Sequence, residues 1–228
     1  MSCTLILADP AFSSWSMRAW LVVHRFGIPV TERWVTLYDE VPLEVQIDAA
    51  PARTVPVLLC DDGTCVTDSL AIAEELASRH PERALWPRDP SLRAMARSLA
   101  AEMHSGFSAL RAECPMCLRT GYADVPVAES VAADLDRLAT IWADALARSG
   151  GPWLAGDYSI ADAFYAPVAA RIAGYDLAVT EIARAYVDRH LADPAFRDWR
   201  EMGLTRGGDL HDSAYARPHR RVPWPEGR

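Results

Sequence analysis

The sequence predicts an α/β domain ordered β-α-β then β-β-α, followed by an all-helical domain. Three observations carry that expectation. Residues 4–37 alternate a short apolar run, a stretch at helical spacing and a second strand-like run. Arg53 to Ile72 then reads strand, turn, strand, helix. A proline-rich connection from Ala84 to Pro90 finally gives way to apolar residues recurring every three or four positions from Leu92 onward.

The elements follow in order. Thr4 to Ala8 is a short apolar strand that Asp9-Pro10 breaks. The cluster Ser13-Ser14-Trp15-Ser16 opens a helix in which Met17, Trp20, Leu21 and His24 share a face, and Gly27 with Pro29 stops it. Val30 to Leu37 alternates as a second strand, and Glu44 to Ala52 is a short irregular or helical connection. Val55 to Cys60 and Thr64 to Thr67 are strands about the turn Asp61-Asp62-Gly63. Pro56 inside the first of them marks an edge, a bulge or a special peptide bond; a cis Val55-Pro56 bond would turn the Val55 backbone outward to pair with an extended peptide. Asp68-Ser69 then caps a helix that His80-Pro81 ends.

In the second half, Asp89 as N-cap and Pro90 at the first helical position start a helix. Its stripe, Leu92, Met95, Ala96, Leu99, Met103, Phe107 and Leu110, reads as one long element. Val125-Pro126 begins another, with Val131, Leu135, Leu138, Ile141, Trp142 and Leu146 on one face and Gly150-Gly151-Pro152 at its end. Ser159-x-x-Asp162 is a capping box opening a buried helix over Ala163 to Ala173. Ala178 to Leu191 supplies a further helix, and Asp193-Pro194 starts a last one through Met202. From Thr205 the periodicity fades into a tail, with Trp224 the residue suited to pack. The expected units are 1–81 for the α/β domain, 82–89 for the linker, 90–204 for the helical domain and 205–228 for the tail.

The net charge is −8, and all 23 basic residues are arginine, a balance that argues against nucleic-acid partners. The start lacks a basic region and no segment reaches transmembrane length, so a cytoplasmic protein without a membrane partner is expected. Five cysteines, Cys3, Cys60, Cys65, Cys114 and Cys117, are an odd number at low density, which predicts reduced thiols. Cys114-Pro115-Met116-Cys117 has no second ligand pair for zinc, and its position in the chain does not suit a redox pair. No glycine-rich phosphate loop is present, so neither a metal nor a nucleotide cofactor is expected.

Three motifs carry a family resemblance over residues 4 to about 204. Thr54-Val55-Pro56-Val57-Leu58 followed by Asp68-Ser69-Leu70-Ala71-Ile72 resembles the glutathione-binding half of the cytosolic glutathione transferases. Ser13-Ser14-Trp15-Ser16-Met17-Arg18 is similar to the serine-type active-site stretch of tau and zeta transferases, although zeta enzymes carry cysteine at the position of Trp15. Trp153-Leu154-Ala155-Gly156-Asp157-Tyr158-Ser159-Ile160-Ala161-Asp162 looks like the family's helix-capping stretch in the second domain.

The resemblance implies a thioredoxin-like N-terminal domain, an all-α C-terminal domain and a homodimer. It implies that Ser13 matches the catalytic serine, with Ser14 adjacent and able to carry the hydroxyl if the loop is shifted by one. Physically, a hydroxyl at a helix N-terminus donates to sulfur, and the dipole there favours thiolate over thiol. On local sequence alone the same serines read as N-cap residues. Glutathione is expected along Arg53, Thr54, Val55, Pro56, Asp68 and Ser69, with Asp68 meeting its γ-glutamyl ammonium and Ser69 the neighbouring carboxylate. Many relatives have glutamate where Asp68 stands, and Asn-Pro-x-Gly or a lysine before the Val-Pro pair, where this chain has Ala50-Pro51-Ala52-Arg53. Trp15, Met103, His104, Phe107 and Arg111 fall where the family borders its second-substrate cleft. The implied activity is conjugation of glutathione to a small electrophile. The alternatives are glutathione-dependent cis-trans isomerisation of maleyl compounds and a non-catalytic binding module.

Overall fold

The computed structural model describes residues 2–207 and 218–225. Its first half contains β1 (Cys3–Ala8), α1 (Ser14–Arg25), β2 (Thr31–Val35), α2 (Leu43–Ile47), β3 (Val57–Cys60), β4 (Cys65–Val66) and α3 (Ser69–Arg79). The four strands form one sheet in the order β2-β1-β3-β4, with β1 parallel to β2 and the other two pairings antiparallel. This is the expected thioredoxin-like arrangement, and Val55-Pro56 is cis. Leu5 and Leu7 point from β1 into the main core with Met17 and Leu21 of α1, whereas Ile6 and Ala8 join Val35, Ile47 and Val57 on the opposite face.

The cysteines depart from expectation. The β1–β3 register sets Cys3 directly opposite Cys60, with Cα atoms 4.0 Å apart, and the two form a disulfide. Exposed Cys65 and buried Cys114 and Cys117 lie outside this disulfide. An odd count had predicted that all five would be reduced; antiparallel pairing of two strands distant in sequence supplies the proximity that the count cannot express.

The second half contains α4 (Pro90–Ser105), α5 (Ser108–Glu113), β5 (Gly121–Ala123), α6 (Glu129–Ser149), α7 (Ile160–Gly174), α8 (Glu181–Ala192), α9 (Pro194–Thr205) and β6 (Arg220–Val222). Every residue of α7 is buried, making it the axis of the helical domain. Its capping box forms as predicted: Asp162 Oδ2 accepts from the Ser159 N–H at 2.9 Å and its hydroxyl at 3.1 Å. Asp162 Oδ1 accepts from the Leu154 N–H at 3.1 Å and the Tyr186 hydroxyl at 2.9 Å. Burial pushes this carboxyl up to about 6, against the lowering effect of those four donors.

One feature differs from the reading of long periodic helices. The stripe from Leu92 to Leu110 is interrupted at Gly106 and Phe107, which separate α4 from α5. Phe107 takes a left-handed φ of 55°, and a Cβ on Gly106 would lie 2.7 Å from the Glu102 carbonyl oxygen. Glycine permits that close approach, and the stripe continues only because both helices face the same core. The tail also returns to the domain. Strand β6 pairs antiparallel with β5, and buried Trp224 covers Gly174 at the end of α7, where a Cβ would stand 2.9 Å from the indole. Among the described residues no helix is long and apolar enough to cross a membrane.

Candidate functional site

The loop between β1 and α1 sets the first wall of a cleft. Asp9 organises this loop: its carbonyl accepts the N–H groups of Phe12 and Ser13, and its carboxylate accepts the Leu37 N–H at 2.5 Å. Ser13 then caps α1, its Oγ accepting the Ser16 N–H at 3.3 Å and its hydroxyl donating to Ser16 Oγ at 2.9 Å. Ser16 Oγ in turn accepts the Ala8 N–H at 3.1 Å, tying the helix start to the end of β1.

The cleft has a volume of about 550 Å³. Ser13, Ser14, Trp15, Thr54 and Val55 line it from the α/β domain, with Leu37 and Tyr38 at the lip. Arg111, Pro115, Met116 and Arg171 face them from the helical domain. A smaller cavity of about 440 Å³ lies at Trp86 and Tyr158. Its Asp89 and Ser159 already cap helices, so it offers less free polar chemistry.

The two serines have different surroundings. The Ser13 hydroxyl is engaged in the cap, as the purely local reading of the sequence anticipates. Ser14 Oγ instead accepts from Arg171 Nη2 at 3.4 Å, across the domain boundary. A guanidinium on a hydroxyl oxygen polarises its O–H, and that proton is not engaged in the cap.

Two arginines flank Trp15 and a third stands by its neighbour Ser14. Arg18 Cζ lies 4.3 Å from the ring centroid and Arg111 Cζ 4.8 Å from it, while Arg171 reaches Ser14 beside it. Arg18 is 1% exposed, and its Nε and Nη1 have no hydrogen-bond partner. Burial brings its guanidinium down to about 9, reinforced by the charges of Arg171 and Arg111 and opposed by Asp68. A chain of net charge −8 thus concentrates positive charge at this cleft.

The remaining expected residues fall in two groups. Val55 lines the cleft just before β3, Pro56 is buried behind it, and Arg53 and Thr54 are exposed. Asp68 caps α3, and Ser69 Oγ beside it is buried with no hydrogen-bond partner. An unoccupied hydroxyl at a helix N-terminus suits a carboxylate. Met103 and Phe107 are buried in the core, and His104 faces Asp68. The sequence reading did not include Arg171, which sits on a helix whose other residues are all core; a buried arginine in an apolar helix was the available signal.

Comparison with known proteins matches residues 12–79 to the family described as glutathione S-transferase, N-terminal domain. A probable maleylacetoacetate isomerase from Caenorhabditis elegans is 34% identical over 97 residues, which are 42% of this chain and 44% of that protein. The chain therefore spans less than half the length of this curated relative. Among solved structures, a glutathione transferase homologue from Burkholderia gl BGR1, with bound glutathione, aligns with a TM-score of 0.68 at 24% identity, over 90% of this chain and 98% of that one. The Omega 2S glutathione transferase of Trametes versicolor, in complex with 2,4-dihydroxybenzophenone, aligns with a TM-score of 0.65 at 20% identity, over 89% and 96% of the two chains. At these identities the two structures speak to the fold.

Proposed function

We propose that this chain, whose residues 12–79 match the glutathione S-transferase N-terminal domain family and which has the fold of the transferases, binds glutathione and uses a serine hydroxyl at the start of α1 to stabilise the thiolate for attack on a small electrophile. The observation that carries this reading is the pair of serines opening α1 in the cleft wall, one capping the helix and the other touched by Arg171. Glutathione would lie along Val55, with its γ-glutamyl carboxylate at the vacant Ser69 hydroxyl and α3 N-terminus, and its ammonium at Asp68. Its sulfur would then sit at the start of α1, where the helix dipole and the Ser14 hydroxyl both favour thiolate. Attack of the thiolate forms the new carbon–sulfur bond, and the electrophile's leaving group or its newly formed carbanion takes up the charge.

A second reading is favoured by the arginines. Arg111 and Arg171 on the helical wall suit a carboxylate on the second substrate. With an acid bearing a cis double bond, the thiolate adds to one alkene carbon, the bond rotates, and elimination returns glutathione and the trans product. The C. elegans relative is named for an isomerase of that kind. Homodimerisation in a cytoplasmic setting is part of both readings.

The test is direct. Glutathione added to the protein at neutral pH should produce the ultraviolet absorption of a bound thiolate. With a maleyl acid present, glutathione consumption indicates conjugation, and cis-trans conversion at constant glutathione indicates isomerisation. Absence of the thiolate band would refute both readings.

A further inference from the structure

Asp68 is engaged from two sides. Its Oδ1 caps α3, accepting the N–H groups of Leu70 at 2.8 Å and Ala71 at 3.1 Å. Its Oδ2 lies 3.3 Å from Nε2 of His104, in the last turn of α4 and therefore on the other domain. The imidazole is fixed in turn by Trp15, edge-on at 5.4 Å, and by Phe164 at 6.3 Å. Nδ1 of His104 is buried with no hydrogen-bond partner.

That arrangement suits one protonation state. A second ring proton would sit on Nδ1, where no acceptor meets it, so the neutral ring with its proton on Nε2 satisfies the site. The charged groups acting on the ring are Asp68 from the α3 cap, Arg18 from α1 and Arg111 from α5. Burial lowers the histidine, the two arginines add to that effect, and Asp68 opposes it. In that state the Nε2 edge of the ring stands 3.3 Å from Asp68 Oδ2 and leaves the carboxylate its charge.

We propose that His104 is a positioning residue for the ammonium end of glutathione, holding the Oδ2 edge of Asp68 so that one carboxylate caps α3 and still receives the γ-glutamyl ammonium. The inference rests on the glutathione reading above. It makes recognition of the amino group depend on a residue from the helical domain, so docking of the two domains prepares the ligand site. A side chain on α4 that merely filled space would affect every part of glutathione equally; one that orients Asp68 affects only the amino group.

The test uses two ligands, glutathione and its analogue lacking the γ-glutamyl amino group, titrated calorimetrically into wild type, His104→Leu and His104→Gln. Loss of the orienting contact should weaken glutathione about tenfold in His104→Leu. The deaminated analogue should bind all three proteins within about twofold, and His104→Gln, which keeps an N–H donor, should recover most of the lost affinity. Equal weakening of both ligands in His104→Leu, or no weakening of either, would overturn the positioning role. Should the leucine variant fail to fold, His104→Ala takes its place, and equal weakening of both ligands, or of neither, overturns the role as well. Failure of wild type to bind glutathione is a different result and removes the reading beneath it.

Discussion

The two serines at the start of α1 invite a paired substitution, because the structure gives them different work. Ser13→Ala removes the N-cap of α1 and the partner of Ser16 Oγ. Loss of such a cap costs about 1 kcal/mol, which for a chain of this size lowers Tm by about 2–4 °C. Ser14→Ala leaves the cap intact and removes the hydroxyl that Arg171 polarises. A hydrogen bond to a charged acceptor contributes about 1.5–3 kcal/mol, so the bound thiol of glutathione should rise by about 1–2 pKa units in that variant. The assay is a pH titration of the thiolate absorbance of bound glutathione, run beside a thermal melt of each protein. The expected pattern is a melting shift with little thiol shift for Ser13→Ala, and the reverse for Ser14→Ala. A thiol pKa that rises in Ser13→Ala and stays put in Ser14→Ala would refute this assignment and return the role to the motif-matching serine.

Other expectations concern the scaffold. Asp162→Ala strips acceptors from the Leu154 and Ser159 N–H groups and the Tyr186 hydroxyl, all in the core; chemical denaturation should show a loss of about 3–5 kcal/mol. His190 is fully buried, neither ring nitrogen has a partner, and burial brings it down to about 3. Below about pH 6.5 the unfolded chain takes a proton that the folded ring refuses, so its contribution to stability is lost as pH falls. Asp162 works the other way, its folded carboxyl holding a proton up to about pH 6. The stability advantage of wild type over His190→Met should therefore shrink between pH 7 and pH 5 in urea titrations, and a constant difference would contradict the burial argument. Thiol counting under denaturing, non-reducing conditions should find three cysteines rather than five. Cys60→Ser should lower stability by about 2–4 kcal/mol, and a variant as stable as wild type would count against the bridge.

Much of the fold is legible because its signals are local. Asp68, Asp89 and the Ser159–Asp162 pair announce helix starts by chemistry that needs no tertiary information, and each forms its cap. The break at Gly106 was hidden because Phe107 and Leu110 keep helical spacing across it, so periodicity reports a shared buried face rather than a continuous helix. Strands β5 and β6 are three residues each and meet across about a hundred positions, beyond the reach of any pattern within a window. Within the site, the serines and the Asp68-Ser69 pair stand in motifs. Arg171 and the His104–Asp68 contact depend on how two domains pack, which a single sequence leaves unwritten.

Trp224 on Gly174 gives the chain a direction in time. The central helix is among the most buried elements of the protein, yet its far end is covered by a residue synthesised some fifty positions later. Until that tryptophan has left the ribosome, the nascent helical domain exposes the seat it will fill. The α/β domain, whose sheet and helices end at Arg79, is complete long before, so newly made chains should carry a finished first domain and an unsealed second one. A nascent chain stalled short of residue 224 should accordingly be protease-sensitive in its second half while its first half resists.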